Sequence, residues 1–256
     1  MRFFLAELQK RNFLLFWYGS FNFLFAFFCL GLMLSDNTRI LGVNAWEKPF
    51  GFYISGGIMA WSIAWMIYHI NSKNIRLICS WLIAISTFIE NGIVFFQSYK
   101  GVPSHFNVSN PFNSLLYSLI CLCIVVFLFA VLLLTIVFFR QRKMPISQHY
   151  SWGIRMGFLV FITTSIFGAI ITSLSKHTIN LTDGVDGCNF MYWNIKYSNL
   201  RIPEFMSVYS LQFIPLISYY MFEKKKQVIN FTITYAIAII IFVLLALLGI
   251  PIFSIK

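Results

Sequence analysis

The sequence predicts an all-α fold, a polytopic transmembrane helical bundle of about seven helices, on three observations. Hydrophobic residues make up 59% of the chain and charged residues only 11%, a composition foreign to soluble domains of this size. Mean hydropathy is +0.78. The apolar residues also fall in runs long enough to cross a hydrocarbon core, which takes about 20 residues of helix. Such runs lie at roughly 13–34, 50–70, 77–98, 114–139, 153–174, 203–222 and 228–252, and short connections join them, so residues 1–256 read as a single transmembrane domain. Barrel strands would alternate polar and apolar residues, and these runs do not.

The first run follows Arg2, Lys10 and Arg11, as a leader peptide would. It is too long for a leader's apolar stretch and lacks a small-x-small cleavage site, so it reads as a retained helix. Cys29, Cys79, Cys121 and Cys123 fall inside predicted helices and Cys188 stands alone in a loop. That pattern fits free thiols packed as small hydrophobes better than a disulfide framework.

Orientation follows from Lys and Arg. One set of alternate connections holds eleven of them, with tight clusters at Arg140, Arg142, Lys143 and at Lys224, Lys225, Lys226, and the other set holds seven. The basic side faces the cytoplasm, which puts the N-terminus inside and the C-terminus outside. The formal charge of +11 is spread over helix ends, where topology and anionic headgroups account for it without a nucleic-acid partner. Trp17, Trp65, Trp81 and Trp152 are expected near the inner interface, Trp46 and Trp193 near the outer one.

The outer connections, residues 35–50, 98–113 and 175–205, carry Asp36, Glu47, His105, His177, Asp183 and Asp186, while the cytoplasmic ones offer little besides His69 and His149. The segment ILGVNAWEKPF is expected to be interfacial or partly re-entrant, its backbone satisfied by protein. In NPFN, Asn113 or Ser114 is expected to cap the next helix. His105 is not needed by this loop architecture and stands as a candidate acid, base or ligand.

Glu90 is the costliest residue in the chain, about 20 Å from the inner end of its predicted helix. An ionised carboxylate at such depth costs at least ~2.5 kcal/mol, so it needs a partner inside the bundle or a proton. An interhelical hydrogen bond to a Ser, Thr or Asn is the bland alternative to a functional role. Gln97, seven residues on, returns to the same helix face. The sixth predicted helix adds Arg201, Glu204 and Gln212. Glu204, next to Pro203, also suits the positive end of a helix, and Arg201 suits a headgroup contact. Asn22 and Ser55 read as interhelical glue.

No pair of His or Cys has the spacing of a metal site within one helix. DGVDG lacks the acidic ladder of a calcium loop, no helix core holds the facing histidines of a bis-His haem, and the seventh run has no Lys for a retinal Schiff base. The sequence therefore assigns no metal, and it leaves any cofactor and any catalytic residue unidentified.

The strings NTRILGVNAWEKPFGF, QSYKGVPSHFNVSNPF, WGIRMGF, HTINLTDG and NLRIPEFMSVYSLQFIP resemble a family of bacterial integral membrane proteins of uncharacterised function, over about residues 37–216. The resemblance implies that Asn44, Trp46, Lys48, Pro49, Glu90, Gln97, Ser104, His105, Asn107, His177, Asp183, Arg201 and Gln212 belong to one pattern, mostly on the outer side. Where the family pattern has two histidines in the sixth helix, this chain has Glu204 and Tyr209, a departure that puts metal or haem chemistry resting on them in doubt.

Three functions fit these residues. The first is binding or transport of a small or amphipathic ligand in an outward-facing polar pocket lined by Glu90, Gln97, His105, His177, Asp183, Arg201, Glu204 and Gln212. The second is a membrane-embedded hydrolase with a carboxylate or histidine as acid and base. The third is a non-catalytic subunit of a membrane complex. The expected partners are the lipid bilayer with a small-molecule or lipid ligand, or a membrane protein, in a bacterial inner membrane. No nucleophile and base pair is visible, which favours the first, although no inverted repeat or matched pair of broken helices marks a transporter.

Overall fold

The computed structural model describes residues 2–174 and 201–248. The fold is all-α apart from one small hairpin. Its elements are α1 (Arg2–Arg11), α2 (Phe13–Ser35), β1 (Arg39–Ile40), β2 (Val43–Asn44), α3 (Glu47–Ile67), α4 (Lys73–Tyr99), α5 (Pro111–Arg140), α6 (Gln148–Leu174), α7 (Arg201–Met221) and α8 (Lys225–Leu247). Helices α2, α3, α4, α5 and α8 are long and apolar enough to cross a membrane. His177, Asp183, Asp186, Cys188 and Trp193 lie outside the described residues. The chain divides into two compact units, Met1–Val137 and Phe138–Lys256.

In the first unit, α2 and α4 run parallel. Asn12 Nδ2 donates to Ser80 Oγ at 2.7 Å and, two to three turns later, Asn91 Nδ2 donates to Asn22 Oδ1 at 2.9 Å. The offsets of 68 and 69 residues are nearly constant, so the two helices keep step over this distance. Asn22 is 0% exposed, and its bond to Asn91 is the interhelical glue that the sequence suggests for it.

Helix α3 returns antiparallel between these contacts. Trp61 Nε1 donates to Phe16 O at 3.1 Å, Gly57 faces the Phe23 ring, and Gly56 faces the Asn22 and Asn91 amides. Small residues allow this approach, as they do wherever membrane helices pack closely. Gly19 lies against the Trp61 ring with no room for a β-carbon. Above this level Ala26, Cys29 and Tyr53 form a core packed by Phe21, Phe25, Phe50 and Phe95.

Local signals set the helix ends. Asn12 caps α2 by accepting from Leu15 N at 2.9 Å, and Ser72 caps α4 by accepting from Ile75 N at 3.4 Å. Helix α5 starts one turn earlier than NPFN suggested, because Asn110 Oδ1 accepts from Asn113 N at 2.8 Å and Pro111 takes the first helical position. Asn113 is spent elsewhere, as described below. Short α1, which the apolar runs did not announce, buries Leu8 completely and lays Phe4 over Trp65.

In the second unit, α6 and α7 pack through Gly153 and Gly157, which meet Ser218 and Pro215. The string WGIRMGF thus contains a working GxxxG pair. Val160, Ile214 and Ile239 form the core with Met156, Met206 and Phe231, and Tyr235 donates its hydroxyl to Met206 O at 2.7 Å. Arg155 is only 8% exposed. Its guanidinium donates to Phe138 O at 2.9 Å and Gln141 O at 2.6 Å, satisfying carbonyls at the C-terminal end of α5.

The α2–α3 contact makes a direct prediction. Gly19→Ala should lower the thermal midpoint of the solubilised protein by an amount equivalent to about 1–3 kcal/mol, since Trp61 must leave Phe16 O to make room. Gly31→Ala, with nothing within 4 Å of its added carbon, should show no such loss. Equal midpoints for the two variants would contradict the close approach.

Candidate functional site

The chemistry-bearing side chains of the first unit gather toward the end formed by the 36–46 loop, the start of α3 and the 100–110 loop. Asp36, at the C-terminus of α2, organises the first of these. Its Oδ1 accepts from Thr38 N at 2.9 Å and Thr38 Oγ1 at 2.7 Å, and its Oδ2 accepts from Trp46 Nε1 at 2.7 Å. The Thr38 hydroxyl first, then the Trp46 indole and the Thr38 amide, hold the Asp36 carboxyl below the usual range. Between them β1 and β2 pair antiparallel through a two-residue turn in which Leu41 and Gly42 both have positive φ, 51° and 84°. This primed turn matches strand twist, and Gly42 takes its conformation without strain while Leu41 does not. The expected re-entrant segment is therefore a hairpin that satisfies its own backbone. Trp46 is 3% exposed, so its ring packs within protein around the bond to Asp36.

The clasp delivers Glu47 and Lys48 to the first turn of α3. Glu47 suits the positive end of a helix and Lys48 does not. The Lys48 ammonium is directed instead to His105, with Nζ 3.2 Å from the ring Nδ1. Ser104 Oγ lies 3.0 Å from the same nitrogen, so a charged Lys48 donating to Nδ1 leaves the neutral ring's proton on Nε2. Phe52, one turn along α3, packs its ring 5.7 Å from the imidazole. The residue after His105, Phe106, is held at φ 56°, a conformation bulky side chains seldom adopt and that other contacts must impose.

Glu90 is partly buried on α4. With α4 ending at Tyr99, it lies about 14 Å from that end, deeper than the shorter predicted helix implied. Its electrostatic neighbours come from three other helices: Tyr18 on α2, Lys48 on α3 and Cys123 on α5. Lys48 supplies the opposite charge. Glu90 makes no hydrogen bond or direct ion pair among the described residues, and the Tyr18 hydroxyl is buried beside Thr87 and Asn22.

Of the residues singled out from sequence, Glu90 and His105 are thus linked through Lys48. Gln97 lies two turns beyond Glu90 and is 1% exposed. Its Nε2 donates to Asn113 Oδ1 at 3.2 Å while its Oε1 has no hydrogen-bond partner among the described residues. Asn107 serves the loop, donating to Pro103 O and accepting from Ser109. Glu204 and Gln212 belong to the second unit: Glu204 is exposed in the first turn of α7, and Gln212, with its amide turned so that the nitrogen meets acceptors, donates to Val208 O and Tyr209 O on its own helix, each at 3.3 Å. Arg201 opens α7. Lys48 is the residue that sequence reasoning left out of the site. Its signal was present as a cation at the unfavourable end of a helix, in a chain with one deep carboxylate in need of a counter-charge. Among the described residues no three His, Cys, Asp or Glu side chains gather to hold a metal ion.

The all-α fold, with five helices of membrane-crossing length and apolarity, belongs to the class of helical integral membrane proteins. Comparison with protein-family models, curated proteins and solved structures finds no match for this chain.

A second titratable group sits at the opposite end of this unit. Arg11 bonds Glu7 at 2.9 Å and stacks over Trp65, 3.8 Å from the ring centroid. Nearby His69 is 7% exposed, and burial, with Arg11 as the lesser cause, pushes its pKa down from 6.5 to about 4. Between those values the unfolded chain binds the extra proton, so acid favours unfolding. The unfolding midpoint should fall as pH drops from 6.5 to about 4, by no more than about 3 kcal/mol in stability, and stay level above that window. His69→Gln should flatten the dependence; a slope unchanged in this variant would assign it to other groups.

Proposed function

We propose that this chain is a multi-pass protein of the bacterial inner membrane, crossing it about seven times with the N-terminus in the cytoplasm. Its first unit binds or transports a small or amphipathic ligand at Glu90, Lys48 and His105, near the outer side. Positive-inside counting supports the orientation, and the resemblance to bacterial membrane proteins supports the setting. The observation that carries the function is Glu90, a deep carboxylate within electrostatic range of Lys48 yet without a hydrogen bond or ion pair of its own among the described residues. Carboxylates kept at membrane depth mark ligand and ion sites more often than packing, because packing is served at lower cost by Asn, as Asn22 and Asn91 do here.

The hydrolase reading has one observation in its favour, the 3.0 Å contact of Ser104 Oγ with His105 Nδ1. Lys48 Nζ approaches the same nitrogen at 3.2 Å and competes for the lone pair that would take the serine proton. The binding reading uses Lys48, whereas the hydrolase reading is hindered by it.

Native mass spectrometry of the gently solubilised protein tests the proposal. A stoichiometric small molecule should accompany the wild type, and Glu90→Gln, helical by circular dichroism, should release it with at least about a tenfold loss of affinity. A ligand retained at full occupancy by Glu90→Gln, or a wild type that carries and binds none, would overturn it.

A further inference from the structure

The second unit gathers positive charge at one end. Helix α5 closes on Arg140, and Arg142 and Lys143 follow in the α5–α6 connection, while Lys224, Lys225 and Lys226 lie where α7 gives way to α8. A chain of contacts makes these one surface. The Trp152 ring of α6 takes the Lys225 ammonium 3.8 Å from its centroid and the Arg155 guanidinium carbon at 5.3 Å. Arg155 in turn donates to Gln141 O at 2.6 Å, between Arg140 and Arg142. Against these six cations the two connections carry one carboxylate, Glu223.

The fold itself accounts for only part of this charge. Arg140 suits the C-terminal end of α5, and Lys225 is spent on Trp152. Lys224 and Lys226 flank the first residue of α8, where the helix dipole disfavours a cation. Arg142 and Lys143 stand in the connection, and all four are exposed and ion-pair with no carboxylate among the described residues. Like charges held together repel one another, so an anion from outside the chain is what makes the arrangement favourable.

Neighbouring side chains place that anion at a bilayer surface. Phe139, Tyr219, Tyr220 and Met221 are exposed beside the cations, and Phe139 meets Trp152 edge to face at 6.4 Å. Aromatic rings among lysines and arginines at the ends of apolar helices belong at headgroup level, and α5 and α8 are both long and apolar enough to cross a membrane. A nucleic acid bound to these cations would leave the apolar rim in water. Phosphate is the anion at headgroup level, and basic surfaces between the ends of membrane helices hold phospholipid headgroups. Two groups of cations, joined through Trp152, match two phosphates. We propose that this end of the second unit binds an anionic phospholipid with two phosphates in one headgroup, one on Arg142 and Lys143 and the other on Lys224 and Lys226. Joining both phosphates in one molecule makes the second contact intramolecular. That separates the site from the general attraction of basic loops to a charged membrane, and it does not depend on Glu90.

The test uses the full chain in nanodiscs of dioleoylphosphatidylcholine, with tetraoleoyl cardiolipin or dioleoylphosphatidylglycerol added to equal charge. Thermal shift and native mass spectrometry of the lipid carried out of the disc give the readouts. Cardiolipin should raise the unfolding midpoint and stay bound, with an apparent affinity at least about tenfold above that of phosphatidylglycerol. Arg142→Gln with Lys143→Gln, and Lys224→Gln with Lys226→Gln, should each keep the wild-type midpoint in phosphatidylcholine alone and lose the preference for cardiolipin. Lys224→Arg with Lys226→Arg should retain it. Phosphatidylglycerol matching cardiolipin at equal charge overturns the proposal, as do midpoints indifferent to both anionic lipids, or a preference that survives either pair of glutamine substitutions. Inorganic pyrophosphate or duplex DNA raising the midpoint as far as cardiolipin would overturn the lipid as occupant.

Discussion

One carboxylate governs the first unit. Glu90 sits about 14 Å inside a helix end, among residues that are otherwise apolar or uncharged, and an ionised group there is tolerable only with an opposite charge in reach. Lys48 provides it from the first turn of α3. That position opposes the helix dipole, so the lysine is itself held against a local preference. Lys48 acts on Glu90 from nearer the helix end, since Gly56, eight residues further along α3, is the residue that faces Asn91 beside Glu90.

That architecture rests on small residues and amides. Asn12 with Ser80 and Asn22 with Asn91 lock α2 and α4 in parallel register, and Gly19, Gly56 and Gly57 let α3 lie against α2 close enough for Trp61 to reach a backbone carbonyl. A shift of one turn in α3 would move Lys48 about 5.4 Å along the axis and part it from His105. The Asp36 clasp fixes the other end of the same helix. Three hydrogen bonds to its carboxylate and the short hairpin set where α3 begins. The packing in this unit is thus tied to the charge site through helix register, with the glycines at one level and Lys48 at another.

Much of this was legible in the chain. Runs of apolar residues gave α2 to α8 in order, and depth along one run marked Glu90, because a membrane makes length and charge carry so much energy that they override local propensity. Asn22 as interhelical glue followed from its lone place in an apolar run, while its partner Asn91 came only from the packing. Other features depend on what a linear pattern does not encode. Lys48 lies 42 residues from Glu90 in the sequence, and although the family-like pattern included it, nothing in the linear order set it in electrostatic range of that carboxylate. The hairpin was hidden by Leu41, a residue whose left-handed conformation is imposed by neighbours rather than favoured by type. Helix α1 owes its place to Leu8, Phe4 and Arg11 docking on other helices, and its ten residues are too few for an apolar run to announce. The α5 cap was misplaced because NPFN offers two asparagines, and the one before Pro111 takes the role.

The coupling between Glu90 and Lys48 is the claim on which the account stands, and a double-mutant cycle in unfolding stability measures it most directly. Lys48→Met alone should destabilise the protein, since it removes the opposite charge in range of Glu90, whereas the pair Lys48→Met with Glu90→Leu should cost less than the sum of the two single substitutions. If the two substitutions simply add, the charges do not sense each other, and Glu90 is held in the membrane by something other than Lys48.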